Sequence, residues 1–289
     1  MRGIERQDFH DHVVSQLCSW GPVIRVRMQL AACLSAALTL AAGASTDAFA
    51  QSAAPQPVCV GPADLVRLDV PLKRVAQRIA GGLPLTIVAI GSSSTSGAGA
   101  SSPANNYPSR LAVELHAQFP RVPVTVHNRG VGGETSRDML ARFDRDVFAE
   151  KPDLVIWQAG SNAVLRNQPL DGARTLLREG LDRLKASGVD VVLMNPQYAP
   201  KVITKQDADG MVDLIDLTAK QTNVALFQRF ALMRYWRLTE DIPFSTFLSP
   251  DELHMNDWSY GCVAKLLAGA VAEAATRATV TAIATSPRR

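Results

Sequence analysis

The feature that most constrains this chain is an alternation. Short, nearly unbroken apolar runs are separated by segments in which apolar residues return at helical spacing. Leu83-Pro84-Leu85-Thr86-Ile87-Val88-Ala89-Ile90 is such a run, as expected of a strand buried on both faces. Similar runs lie at Val122–Val126, Asp153–Trp157, Val189–Met194 and Val224–Phe227. Between them, Tyr107–Phe119 places Leu111, Leu115 and Phe119 on one side. Ser136–Phe148, Asp171–Ala186, Asp207–Lys220 and Asp257–Ala275 follow the same 3.6-residue period. Pro71–Ala80 reads as a short leading helix, with Pro near its first turn and Gly81-Gly82 ending it. Strand and helix in this rhythm predict an α/β fold of three layers, a five-stranded parallel sheet covered by helices on both faces. No internal repeat or second domain is visible.

The expected domain spans residues 71–278, behind an N-terminal arm at 51–70 and ahead of a flexible tail at 279–289. Residues 1–50 differ in kind. Arg25 and Arg27 precede an apolar run from Leu30 to Ala42, and Ala48-Phe49-Ala50 follows with small residues around a cleavage point before Gln51. Basic flank, short apolar segment and small-residue site describe a secretory signal peptide. The run is shorter than the roughly 20 residues a bilayer span needs, and no later segment qualifies. Leu30-Ala31-Ala32-Cys33 resembles a lipoprotein box, but Cys33 opens the apolar run, whereas a lipidated cysteine should follow it. Initiation at Met28 would discard both arginines. The expectation is an exported protein, periplasmic or secreted.

Composition adds exclusions. Charged residues are 20% of the 289, the hydrophobic set is 47%, and the formal net charge is +3. That balance is globular and offers no basic patch for nucleic acid. Removal of the leader leaves Cys59 and Cys262. In an oxidising compartment the pair suits a disulfide tying the arm to the last helix; two separately buried thiols are the other reading, the bridge being slightly favoured. Histidines and thiols are too dispersed for a metal cluster, and no cofactor is called for.

Ligands of an open parallel sheet bind beyond the carboxyl ends of its strands, so the segments there carry the chemistry. After the first strand comes Gly91-Ser92-Ser93-Ser94-Thr95-Ser96-Gly97. Alone, this loop is compatible with a nucleophile, with a phosphate cradle of the flavin-binding kind, or with serines that only satisfy the backbone. After the second comes Asn128-Arg129-Gly130-Val131-Gly132-Gly133-Glu134-Thr135, with backbone N–H groups of the sort that stabilise an oxyanion. After the third, Gly160-Ser161-Asn162 offers an amide donor. Ahead of the last helix, Asp251 and His254 stand three residues apart on one turn, where the carboxylate can fix the imidazole and leave its far nitrogen to take a proton. A capping Asp251 beside a surface His254 is the plainer alternative.

Taken together, these four segments in this order resemble the SGNH hydrolases, the GDSL esterase/lipase family, over roughly Leu85 to Ala270. The resemblance implies a flavodoxin-like sheet. It implies Ser93 as nucleophile and His254 as base with Asp251 behind it. It also implies an oxyanion hole from the Ser93 and Gly133 N–H groups and the Asn162 amide. Ser92 stands where the family has Asp, and Ala163 where an Asp commonly follows the Asn. Neither is a reacting group, so the departures bear on support and on substrate subgroup.

The implied activity is hydrolysis of carboxylic esters through an acyl-enzyme, on a small-molecule or glycan ester. A short acyl group such as O-acetyl on a glycan or cell-envelope polymer suits an exported chain without an apolar lid. An O-acyltransferase with the same triad and a non-catalytic polysaccharide-binding homologue are the rivals. Substrate-binding residues stay unassigned. Tyr198, Trp236, Phe244 and Phe247 are available to line a site, but core packing is the preferred reading for most of them. His116 and His127 read as structural or surface residues, and His10 and His12 fall in the leader.

Overall fold

The computed structural model describes residues 56–285. The expected signal at 1–50, with the first residues of the arm, lies outside the described residues, as do the last four of the chain.

Five strands form one parallel sheet: β1 (Leu85–Gly91), β2 (Val124–Gly130), β3 (Leu154–Gln158), β4 (Asp190–Met194) and β5 (Ala225–Phe227). Their spatial order is β2-β1-β3-β4-β5, the flavodoxin-like order. The register pairs Leu85 with Val124, Ile87 with Leu154, Leu154 with Asp190 and Val192 with Ala225. Every carboxyl end therefore opens on one edge. Chain order reverses between β1 and β3, which is where such sheets place their ligands.

The main helices are α1 (Lys73–Ala80), α2 (Tyr107–Gln118), α3 (Ser136–Ala141), α4 (Leu170–Ala186), α5 (Ala208–Thr222), α6 (Arg229–Leu238) and α7 (Asp257–Thr285). α7 packs on α1 and α2 over one face of the sheet, while α4 packs on α3 and α5 over the other. The apolar runs explain the middle layer: β3 is buried at every position and β1 at all but one.

Three expectations change in detail. The helix expected over Ser136–Phe148 breaks at Arg142, giving α3, a turn of helix at Phe143–Asp146 and a 3-10 turn at Phe148–Glu150. The break falls where the buried Arg142 guanidinium reaches the Arg129 carbonyl at 2.8 Å and the Gly91 carbonyl at 3.3 Å, at the ends of β2 and β1. Periodicity continues through such a residue, but its side chain is anchored elsewhere. At the other end α7 runs on to Thr285, past residue 278 where the domain was expected to close. The stretch is rich in Ala, the strongest helix former, and the next proline is Pro287.

The arm is the third. Residues 56–70 hold a turn of helix at Ala63–Val66 and a fully buried Leu68. The Trp258 indole donates to the Pro57 carbonyl at 3.0 Å and the Trp236 indole to that of Val60 at 2.8 Å. Cys59 and Cys262 are joined in a disulfide with Cα atoms 5.4 Å apart, so the bridge, and not the pair of free thiols, is what forms.

Candidate active site

β1 ends at Gly91, and the chain turns directly into a single helical turn, Ser93–Ser96, closed by Gly97 at φ 103°. The turn sits on the strand ends. A Cβ at Gly91 would lie 2.1 Å from Thr95 Oγ1, and one at Gly130 would lie 2.1 Å from the Ser96 nitrogen. Only glycine at both strand ends lets the turn seat so closely. The three serines are thereby sorted. Ser92 and Ser94 are buried, whereas Ser93 is half-buried and opens to the sheet edge.

Ser92 is held by Gln158 at the end of β3. The Gln158 Oε1 accepts the Ser92 N–H at 3.1 Å, the Ser92 hydroxyl at 3.2 Å and the Thr95 hydroxyl at 3.5 Å. The position that departs from Asp is thus supported by a buried neutral amide.

The second segment arrives from 161 residues away: His254 Nε2 lies 2.8 Å from Ser93 Oγ. His254 Nδ1 pairs with Asp251 Oδ2. Asp251 organises its own loop, its Oδ1 accepting the Leu253 N–H at 3.0 Å, the His254 N–H at 2.9 Å and the Ser249 hydroxyl at 2.7 Å. Such closure by a short acidic side chain is an Asx-type turn, tight enough to bring both residues to one side without a helix. Partial burial of the Asp251 carboxyl works against its ionisation. The His254 and Ser249 donors and the Leu253 N–H outweigh that and hold it well below the usual carboxylate range.

The third segment runs beside the serine, and the fourth is bonded to the third. A Cβ at Gly132 would stand 4.0 Å from Ser93 Cβ. Gly133 has φ +80°, and its carbonyl accepts Arg166 Nη2 at 2.7 Å. Asn162 Nδ2 donates to the Glu134 carbonyl at 2.8 Å, a bond that engages one of its two amide hydrogens. Thr135 then starts α3, with Asp138 accepting its N–H and its hydroxyl, each at 2.8 Å. The Ser93 and Gly133 N–H groups meet no protein acceptor among the described residues. All five residues singled out in the sequence, Ser93, Gly133, Asn162, Asp251 and His254, therefore stand at the carboxyl edge around β1 and β3. Ala163, where an Asp commonly stands, is buried in the short helix Ser161–Leu165.

The remaining candidates separate cleanly. His116 is exposed on α2, and His127 is half-buried, 3.6 Å from a Glu150 carboxylate oxygen. His10 and His12 lie outside the described residues. Trp236 and Phe247 are fully buried, with ring centroids 5.8 Å apart. Tyr198 is half-buried and stacks on Phe244 at 5.9 Å. Gln158, Asn195, Gln197 and Arg229 carry no role in the sequence reading. Their one legible signal is position: each polar residue ends or follows an apolar strand at the carboxyl edge.

Comparison with known proteins agrees with this architecture. A stretch of 94 residues is 34% identical to an acetylxylan esterase of Geobacillus stearothermophilus, covering 29% of this chain and 43% of that protein. Another of 107 residues is 31% identical to an arylesterase of Vibrio mimicus, covering 37% and 53%. The chain thus spans about half the length of these relatives. Among solved structures, a two-domain esterase active on acetylated mannans superposes with a TM-score of 0.61 at 22% identity, over 73% of this chain and 56% of that one. The acetylxylan esterase Axe2 of Geobacillus stearothermophilus gives 0.54 at 23%, over 65% and 94%. At these identities the superpositions speak for the fold. The model of the non-GDSL lipase-like family matches residues 58–277, nearly the whole of the folded part, and the chain belongs to that family.

Proposed function

We propose that this protein is an exported serine esterase of SGNH type, with Ser93, His254 and Asp251 as its triad. The observation that carries the reading is His254, whose two ring nitrogens lie against Ser93 Oγ at 2.8 Å and against the Asp251 carboxylate. A carboxylate kept ionised there orients the imidazole with Nδ1 protonated, so that Nε2 is free to accept the serine proton. Ser93 Oγ attacks the ester carbonyl as His254 takes its proton, and the oxyanion is received by the Ser93 and Gly133 N–H groups and the Asn162 amide. The same imidazole returns the proton to the leaving alkoxide, then activates water to release the acyl group. Such a hole works because its donors are already in place before charge develops; the Arg166 and Asn162 bonds to the Gly133 and Glu134 carbonyls supply that rigidity.

The preferred substrate is a short acyl ester, such as O-acetyl, on a glycan or other cell-envelope polymer. The support is the likeness to an acetylxylan esterase and to an esterase active on acetylated mannans. The Cys59–Cys262 disulfide supports an oxidising destination, periplasmic or secreted.

A panel of p-nitrophenyl esters from acetate to palmitate tests the chemistry. Hydrolysis should be fastest at the short end, and Ser93→Ala should lose it by about 10⁴-fold or more. A serine-directed phosphonate should label the wild type one to one and leave Ser93→Ala unlabelled. Labelling of another serine, or of none, rules out this assignment. N-terminal sequencing of protein recovered outside the cytoplasm should begin at Gln51.

A further inference from the structure

Beneath the site runs a chain of buried polar side chains that no step above uses. Ser92, Gln158, Ser161, Gln197 and Arg229 are each at most 3% exposed. Gln158 Oε1 holds Ser92; its Nε2 donates to Ser161 Oγ at 3.2 Å, and that hydroxyl donates to Gln197 Oε1 at 2.9 Å. Gln197 Nε2 then donates to the Leu253 carbonyl at 3.2 Å. The chain therefore starts next to the nucleophile and finishes on the peptide that precedes His254.

The His254 loop depends on such an anchor. Glu252 sits at φ +56°, a backbone conformation that non-glycine residues rarely adopt, so the loop needs outside bonds to hold it. Three successive carbonyls are held, two of them from outside the loop. That of Glu252 accepts the Lys201 N–H at 3.3 Å, that of Leu253 accepts Gln197, and that of His254 accepts the Ser249 N–H at 2.8 Å. Of these three donors only Gln197 belongs to the buried chain beneath Ser93.

Gln197 is itself held by a cation. Arg229 Nη2 donates to Gln197 Oε1 at 3.0 Å and its Nε to the Asn195 carbonyl at 3.1 Å, while its Nη1 is buried without a partner. No carboxylate lies within ion-pair distance of it among the described residues. Burial pushes the guanidinium down to about 10, opposed by the Tyr107 and Tyr260 phenols. A buried cation of this kind is costly. Its bond to the amide oxygen fixes which end of Gln197 accepts and which donates, and so commits Nε2 to Leu253.

We propose that Gln197 is the positioning residue of the triad, its amide setting the His254 loop against the Ser93 turn by joining Ser161 and Arg229 on one side to the Leu253 carbonyl on the other. The inference rests on the esterase reading above. Misplacement of a catalytic group by about 1 Å costs on the order of a hundredfold in rate, so loss of this bond reads in kcat, whereas ester binding is untouched and KM holds.

Two variants separate positioning from mere structure. Gln197→Glu keeps the acceptor for Ser161 and gains an ion pair with Arg229, yet cannot donate to Leu253. Gln197→Met keeps the length and loses donor and acceptor alike. Expected are Tm unchanged or raised for Gln197→Glu, Tm lowered for Gln197→Met, and kcat down about tenfold or more in both, with KM within about twofold. Each kcat is taken well below that variant's Tm. A kcat that follows stability, normal in Gln197→Glu and impaired only in Gln197→Met, overturns the inference. If Gln197→Glu does not fold, Gln197→Met alone decides: unchanged kcat in its folded form overturns the inference, and a kcat loss at constant KM supports it. A wild type that cleaves no ester and never labels at Ser93 overturns the esterase reading and this inference together. An active wild type with a fully active Gln197→Glu overturns this inference alone.

Discussion

Three adjacent serines share one turn, and what distinguishes Ser93 is the direction each faces. Ser92 is bonded to Gln158, and Ser94 Oγ is buried without a partner, which leaves Ser93 alone to meet His254. The same logic applies to Asn162, which has one amide hydrogen committed to the Glu134 carbonyl and one left over. If Asn162 lends its amide to the oxyanion as proposed, Asn162→Ala should lower kcat by on the order of a hundredfold or more, with KM little changed, because such a donor matters most once the oxyanion has formed. Steady-state kinetics on p-nitrophenyl acetate checks this, and a KM effect at constant kcat would place Asn162 in ground-state binding instead. At this scale the sequence was informative wherever a residue type is scarce and chemically committed, as with Asp251 and His254. It was silent on Gln158, Gln197 and Arg229, which are ordinary residues until burial makes their hydrogen bonds obligatory.

Among elements, the N-terminus of α1 shows how distant segments are tied. Val75 N–H donates to Asp190 Oδ2 at 2.9 Å, joining α1 to the first residue of β4. The neighbouring Asp153 accepts the Arg74 and Arg78 Nε groups at 2.9 and 2.7 Å and the Thr86 N–H at 3.0 Å. Burial pushes the Asp190 carboxyl above its ordinary value, against the Val75 and Arg74 N–H donors, which favour the ionised form. A carboxyl harder to ionise in the folded state contributes its stability below the unfolded value of about 3.9 and loses it as pH rises through the raised folded value. Asp190→Asn stays neutral and keeps an oxygen for Val75. Its Tm relative to wild type should therefore climb between about pH 4 and pH 7. Thermal melts across that range decide the matter, and a constant gap contradicts it. The break in the helix at Arg142 belongs here too. Local periodicity does not reveal that one side chain is bound to the ends of two strands.

For the molecule as a whole, the Cys59–Cys262 bridge spans 203 residues of sequence and fastens the N-terminal segment to α7. Closing so long a loop restricts the unfolded chain, and typical bridges contribute about 2–4 kcal/mol. The double variant Cys59→Ser/Cys262→Ser should lose about that much in urea unfolding. Its kcat at 25 °C should be unchanged, since neither cysteine belongs to the proposed triad or bonds to it. Equal stability with and without the bridge would mean that the Trp236 and Trp258 bonds to the arm suffice.

By itself the sequence determined the layers, the number of strands and the edge on which the chemistry gathers. Burial on both faces demands continuous apolar runs, helices demand a 3.6 period, and polar residues survive beside such strands only at their ends. Only the tertiary structure decided which of those polar ends meet. Ser93 and His254 are 161 residues apart, Ser161 and Gln197 36, and Gln197 and Leu253 56. Their contacts depend on strand order and register, which pattern along a single chain does not encode. The spare cysteines belonged to the same class: their identity was legible, but their bond required two segments near opposite ends of the chain to come within reach.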